Sequence, residues 1–370
     1  MTSPDGTMRS HRTWSLTDET ATVVQEVRDI ERERPAESKA APSSIPTVSE
    51  ERRVQSLGET AFDINTFVEN VGVRSPITSQ PSSTVLYLAY GSNLCAETFK
   101  GVRGIKPVAQ VNVVVPEIQL SFDLPGIPYR EPCFANVRYR TRTDHDGAFE
   151  PDSDHEKLPL LPYGCRLPYH KNRWKKGLVG VVYEVSLKDY ATIIRTEGGG
   201  ASYQDILVVC HPLSASDTVP LEPTTPPFKA HTLYAPANVG DLSEDAHSRS
   251  RICRPDPDYA QPSARYRQLL LDGAGEHHLP ADYTSYLRGI RPYTITEARQ
   301  QRGKWIFTTI WYPILMSVFS LSRLFADKQG RVPPWLAALS GLTFRTLWRS
   351  YDDFFKLRFG DGERSVGDDV

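Results

Sequence analysis

The feature that most constrains this chain is the run Val85-Leu86-Tyr87-Leu88-Ala89-Tyr90, six consecutive apolar and aromatic residues with no polar alternation. Such a run makes a strand buried on both faces, which needs paired neighbours on either side and a covering layer above and below. It closes on Gly91-Ser92-Asn93, residues that form turns. Further strand patterns lie at Ala109–Val115, Ile118–Phe122, Phe134–Tyr139, Leu178–Val185, Ile206–Cys210 and Ala230–Tyr234. Helical patterns are fewer: Leu94 to Lys100, Ser186 to Arg195, Ser263 to Gly273, and Ala281 to Arg288 after a Leu279-Pro280 start signal. This order predicts a strand-dominated domain of mixed α and β elements with short helices at its edges, α+β in class. A polar, Pro-rich stretch from Thr141 to Lys176 reads as a surface insertion.

Both ends differ from this middle. Residues 1–80 are rich in Ser, Thr, Pro, Glu and Arg, and their sparse apolar residues predict a disordered tail. Within it, Gln55 to Val73 has enough amphipathic character for one docking helix. Residues 1–50 hold no continuous apolar run, so no signal peptide is read there and a cytoplasmic location is expected. Five single cysteines without C-x-x-C pairs fit reduced thiols and give no zinc spacing. With 43 basic against 45 acidic side chains, nothing points to a nucleic-acid partner. From about residue 296 to 370 the chain becomes apolar and aromatic. Residues 305–322 run without a charge between Lys304 and Arg323, with Pro313 inside, and Trp335 to Phe359 forms a second amphipathic stretch. Three readings stay open for this helical extension: spanning a membrane, contact with a membrane surface through 305–322, or packing on the domain.

Two places carry chemistry. The turn Tyr90-Gly91-Ser92-Asn93-Leu94 can point successive backbone N–H groups into one concavity suited to a carboxylate, although Ser92 or Asn93 capping a helix is the commoner use of such residues. Thr196-Glu197-Gly198-Gly199-Gly200 places a carboxylate where the helix dipole opposes it. A desolvated glutamate there has a raised pKa and suits proton transfer between nitrogens; a surface glutamate before a flexible loop is the plainer reading.

Taken together, these motifs resemble the γ-glutamyl cyclotransferases. Tyr87-Leu88-Ala89-Tyr90-Gly91-Ser92-Asn93-Leu94 is similar to the family's signature turn, and Glu197-Gly198 follows about a hundred residues later, where the family places its catalytic acid/base. Gly180-Val-Val-Tyr-Glu-Val185 resembles the strand leading into the catalytic helix. Pro262-Ser-Ala-Arg-Tyr266, Leu269-Leu-Leu-Asp-Gly-Ala274 and Leu279-Pro-Ala-Asp-Tyr283 resemble the closing segment. The resemblance covers Ser82 to Tyr293, apart from the insertion; Arg195-Thr196 stand where the family often has acidic residues.

The resemblance implies a small mixed β-barrel with short flanking helices over residues 81–295. It implies catalysis by Glu197, with substrate held by Tyr87, Leu88, Ala89, Tyr90, Gly91, Ser92 and Tyr266. The implied reaction closes a small-molecule γ-glutamyl compound, of the kind met in glutathione metabolism, into 5-oxoproline and releases an amine. No metal or other cofactor is called for, because the leaving group needs only a proton. A homodimer is compatible with the resemblance. Two alternatives remain beside it: a relative acting on a glutathione-derived conjugate in a secondary-metabolite pathway, and a non-catalytic binding module of the same fold. Tyr203, Tyr234, Tyr283 and Tyr293 are expected in the core or at the rim, and His231, His277 and His278 are given no role.

Overall fold

The computed structural model describes residues 45–73, 84–140, 174–197, 203–214, 218–235, 254–256, 258–325 and 333–365. All seven strand patterns form strands: β1 Thr84–Ala89, β2 Ala109–Val115, β3 Ile118–Ile127, β4 Glu131–Tyr139, β5 Leu178–Ser186, β6 Gln204–Pro212 and β7 Phe228–Tyr234. Five of them make a barrel in the order β1-β5-β2-β6-β7. Neighbours are antiparallel, and β7 returns to β1 through one parallel pairing of Tyr87 with His231. β3 and β4 form a separate two-stranded antiparallel sheet, with an irregularity between Ser121 and Leu124. Leu86, Leu88, Val113, Val181 and Val182 are fully buried in the barrel, as the unbroken apolar runs require. Each such side chain contributes about 1.5–3 kcal/mol of transfer free energy.

The disordered tail expected over residues 1–80 is corrected for its later part; residues 1–44 and 74–83 lie outside those described. Pro46 to Val48 run beside β2, where the Gln110 N–H donates to the Pro46 carbonyl at 2.9 Å. Two helices come next, α1 Glu50–Ser56 and α2 Ile64–Val73. Ser49 caps α1 by accepting from the Arg52 N–H. The Lys229 N–H donates to Ser56 Oγ, and Arg52 Nη2 donates to the Thr84 carbonyl at 2.8 Å. Ile64, Phe67 and Val68 of α2 are buried, and Phe62 stacks on His231 with ring centroids 4.4 Å apart. Apolar residues too sparse to fold alone suffice here because they share one face and find a finished barrel to pack on.

Three helices match the sequence patterns closely: α3 Leu187–Thr196, α4 Ala264–Glu276 and α5 Ala281–Gly289. The one expected from Leu94 to Lys100 is corrected. A three-residue 3₁₀ turn, Ser92–Leu94, ends at an extended Cys95 (ψ 126°), and a π-type turn Glu97–Val102 comes after it. Of the insertion, residues 141–173 lie outside those described. Trp174 and Lys176 belong to the packed domain: Trp174 stacks on Tyr286, and Lys176 pairs with Asp282 at 2.8 Å.

The extension is a helical hairpin, α6 Ala298–Phe325 and α7 Pro334–Ser350, continued by a π-type turn Tyr351–Phe355 and a last helical turn Lys356–Phe359. It holds its own apolar cluster of Phe307, Trp311, Leu315, Leu347, Trp348, Tyr351 and Phe355, closed by Tyr129 from the β3–β4 connection. Tyr129 is fully buried with φ at 65°, an uncommon conformation for a bulky residue. Its hydroxyl reaches the Gly360 carbonyl at 2.7 Å, and its N–H donates to the Gly362 carbonyl at 2.7 Å. The chain then returns to the domain: the Gln261 N–H donates to the Glu363 carbonyl, and Arg254 clasps Glu363 and Asp352.

Candidate active site

Barrel geometry decides where Glu197 goes. β5 runs antiparallel to β1, so its last residue, Ser186, sits opposite Thr84, the first residue of β1. From there α3, ten residues and about 15 Å long, travels back along β1, which is itself about 20 Å long. The end of α3 therefore arrives beside the turn that ends β1. Ser186 starts the helix by accepting from the Asp189 N–H, and Glu197 terminates it with its own N–H bonded to Ile193 at 3.0 Å.

At that meeting point Asn93 Nδ2 donates to Glu197 Oε1 at 2.9 Å and to the Tyr87 hydroxyl at 2.8 Å. Arg103, just beyond the π-type turn, places Nη2 2.5 Å from the same carboxylate oxygen, and its Nη1 donates to Thr196 Oγ1. Burial raises the Glu197 pKa above its ordinary value, while the Arg103 charge and the Asn93 hydrogen bond act against that rise. A carboxyl group placed against the dipole of α3 is thus held by a cation and an amide from the segment after β1. Asn93 is buried, and among the described residues its Oδ1 has no hydrogen-bond partner.

Tyr266 comes from α4, whose cap Ser263 accepts from the Tyr266 N–H. Its hydroxyl accepts from the Ala135 N–H at 3.2 Å and also interacts with the Ser92 backbone N–H. A Cβ built on Gly91 would sit 3.2 Å from that hydroxyl and 3.4 Å from Ala135 Cβ. Gly91 has φ −108°, outside the left-handed region, so its need for glycine comes from this close approach. Gly273 of α4 is required more strictly, because a Cβ there would meet Leu94 Cβ at 2.5 Å. His277 fastens the end of α4 to the same turn, with Nε2 3.1 Å from the Leu94 carbonyl, and burial pushes its pKa down to about 4.

The residues singled out in the sequence divide accordingly. Tyr87, Gly91, Ser92, Glu197 and Tyr266 converge. Leu88 and Ala89 are fully buried barrel residues, and the Leu88 carbonyl already accepts from Thr232 Oγ1 at 3.0 Å. The Tyr90 hydroxyl is used within the barrel, donating to the Leu233 carbonyl at 2.8 Å. Any contact these three make with a ligand falls to their remaining backbone groups. Gly198, Gly199 and Gly200 lie outside the described residues.

Asn93, Arg103 and Tyr203 were not among the site residues read from the sequence. Asn93 stood in the motif but read as a cap. Arg103 carried no spacing signal at all, lying 94 residues from its partner. Tyr203, expected at the core or rim, is close enough to Glu197, Tyr266 and Tyr87 for their charges to raise its pKa further, beyond the effect of burial. His231 is wholly buried and sits between Asp205, at 2.8 Å, and Glu59, at 3.3 Å.

A buried carboxyl group facing a small-residue turn is suited to moving protons within a small molecule. Several known proteins are similar to this chain. This chain is 29% identical to "Gamma-glutamyl cyclotransferase aclK" of Aspergillus oryzae over 75% of its own length and 90% of the relative's. It is 28% identical to "Gamma-glutamyl cyclotransferase gliK" of Aspergillus fumigatus over 76% and 90% of the two chains. The family model described as the AclK C-terminal domain matches residues 297–356, the α6–α7 hairpin and the π-type turn beyond it. A solved structure titled "Gamma-glutamyl cyclotransferase" aligns with a TM-score of 0.36 and 15% identity, covering 58% of this chain and 92% of that one. The chain is thus similar over most of its length to proteins named γ-glutamyl cyclotransferases, the family its motifs resemble.

Proposed function

We propose that this protein cyclises the γ-glutamyl group of a small-molecule γ-glutamyl amino acid or peptide, releasing 5-oxoproline and an amine. One observation carries the reading: Glu197 and the Gly91–Asn93 turn, a hundred residues apart in sequence, meet through the 2.9 Å bond from Asn93. Backbone amides of the turn hold the substrate α-carboxylate, and the unpartnered Asn93 Oδ1 accepts from its α-ammonium group. That arrangement folds the γ-glutamyl chain so that its nitrogen faces its own γ-carbonyl. A well-oriented intramolecular attack of this kind avoids entropy and solvent costs of about 7–11 kcal/mol in favourable cases.

Glu197 takes one proton from the ammonium, the freed amine attacks the γ-carbonyl carbon, and the ring C–N bond forms. The bond to the leaving nitrogen then breaks as Glu197 returns that proton to the departing amine, and the freed carboxylate takes the second proton of the ring nitrogen, which leaves with the amine as an ammonium. The pKa raised by burial suits both directions of transfer. Tyr87, whose hydroxyl burial keeps protonated, accepts from Asn93 Nδ2 at 2.8 Å beside the same carboxyl group.

The test is 5-oxoproline release from γ-glutamyl-alanine, glutathione and a glutathione S-conjugate side by side. Glu197→Gln should reduce turnover about 10²–10⁴-fold while thermal unfolding stays where it is. Equal rates for both proteins would remove Glu197 from the chemistry. Absence of 5-oxoproline from every donor would leave a binding module with this fold.

A further inference from the structure

We propose that the outer face of the α6–α7 hairpin docks on the surface of an anionic lipid bilayer, an inference that stands apart from the reaction proposed above. The inner face of α6 is occupied: Phe307, Trp311 and Leu315 are buried in the hairpin cluster. Its outer face carries Trp305, Ile306, Ile310, Ile314 and Phe319, all exposed, and none of residues 305–322 is charged. α7 continues this surface with exposed Trp335, Leu339 and Leu342. An apolar patch of this extent on a water-soluble domain marks a surface meant to be covered.

The polar atoms of that face point to hydrocarbon as its cover. Thr309 Oγ1 donates to the Trp305 carbonyl, Ser317 Oγ to Pro313 and Thr346 Oγ1 to Leu342, each four residues back on its own helix. These hydroxyls are therefore satisfied without water, as a lipid-facing helix requires. Charge selects the partner further. With the acidic residues at its ends counted, the extension from 297 to 356 holds nine Lys and Arg against four Asp and Glu, net +5, in a chain whose formal net charge is −2. A second copy would bring the same positive surface against it, whereas anionic headgroups complement it.

Contact is with the surface and not across the bilayer. Residues Ala298–Ser322 are long and apolar enough to cross by length and composition. Yet α6 is seated on the domain as far as Tyr312, whose ring lies 5.8 Å from the Arg130 guanidinium. Beyond it thirteen residues remain to Phe325, about 20 Å of helix, short of the roughly 30 Å hydrocarbon core. An amphipathic hairpin lying in the headgroup region, with exposed Trp305 and Trp335 along it, fits these lengths.

The experiment is co-sedimentation of the full chain with vesicles of phosphatidylcholine alone or with phosphatidylserine added at about one third. The expected result is binding at least tenfold stronger to the anionic vesicles, weakened by high salt. Ile310→Glu combined with Ile314→Glu and Phe319→Glu should lose that binding at least tenfold. If this variant fails to fold, as thermal unfolding would show, Arg345→Glu with Arg349→Glu leaves the apolar face intact and should weaken only the anionic-vesicle binding. A chain that stays in the supernatant with both vesicles overturns the proposal. So does a stable dimer, seen by sedimentation velocity, that the triple substitution dissolves without changing lipid binding.

Discussion

Arg103 sets the electrostatics of the reacting carboxyl group. Its guanidinium favours the charged form of Glu197, so removing it leaves burial less opposed and the pKa moves further up. A glutamate that must be ionised to accept the ammonium proton then works only at higher pH. Arg103→Gln should accordingly shift the acid limb of the kcat/KM profile for 5-oxoproline release to more alkaline pH; an unmoved limb would mean the pair is only structural. Tyr266 touches the turn and not the carboxyl group, its hydroxyl bonded to Ala135 at 3.2 Å. Tyr266→Phe should therefore raise KM more than it lowers kcat, and the reverse split would give the hydroxyl a role in the chemistry. Of these residues Glu197 and Tyr266 were legible in the sequence because motif strings carried them. Arg103 was not, because an ion pair formed across a fold leaves no periodicity in either partner's neighbourhood.

At the scale of elements, the segment bearing α1 and α2 is fastened to the barrel by a buried charge network. Asp205 accepts from His231 Nδ1, from the Tyr190 hydroxyl and from the Phe62 N–H, while Glu59 binds both Arg52 and His231. The carboxylates raise the His231 pKa against the effect of burial. A raised folded value means that protonated His231 stabilises the docked segment fully below its unfolded pKa, near 6.5, and that this contribution fades as pH climbs through the folded value. Glu59, with its pKa lowered, contributes in the opposite sense, its share being lost as pH falls through its folded value. Thermal unfolding should thus show stability declining above near-neutral pH, with His231→Asn flattening that decline. The seven strands were legible because each is a short, β-branched or aromatic apolar stretch bounded by turn formers or by a helix start. The turn after β1 was not: Leu94 to Lys100 has helical composition, but Cys95 turns extended and the segment is held as two short pieces.

For the whole molecule, Tyr129 is the residue through which the β3–β4 connection enters the apolar cluster of the extension. Tyr129 packs on Phe307 and Tyr351 and holds the returning chain through the Gly360 and Gly362 carbonyls. Tyr129→Ala would open a cavity in the hairpin cluster and lose the hydroxyl's bond to the Gly360 carbonyl, at a net cost of about 3–5 kcal/mol. Limited proteolysis should then release the part beyond residue 296 while the barrel stays resistant; an extension that remains protected would show that Arg254 and the Gln261–Glu363 bond suffice.

What the amino-acid order determined by itself is the seven strands, most of the helices and a resemblance to one family: patterning over six to ten residues chooses strand or helix, and motif strings survive as strings. The meeting of Glu197 with Asn93 and Arg103, the docking of residues 45–73 and the seat of the hairpin were decided only in three dimensions. Each depends on segments dozens to more than two hundred residues apart arriving at one place. Burial and charge pairing take their energies from that shared place, which no local stretch of the chain describes.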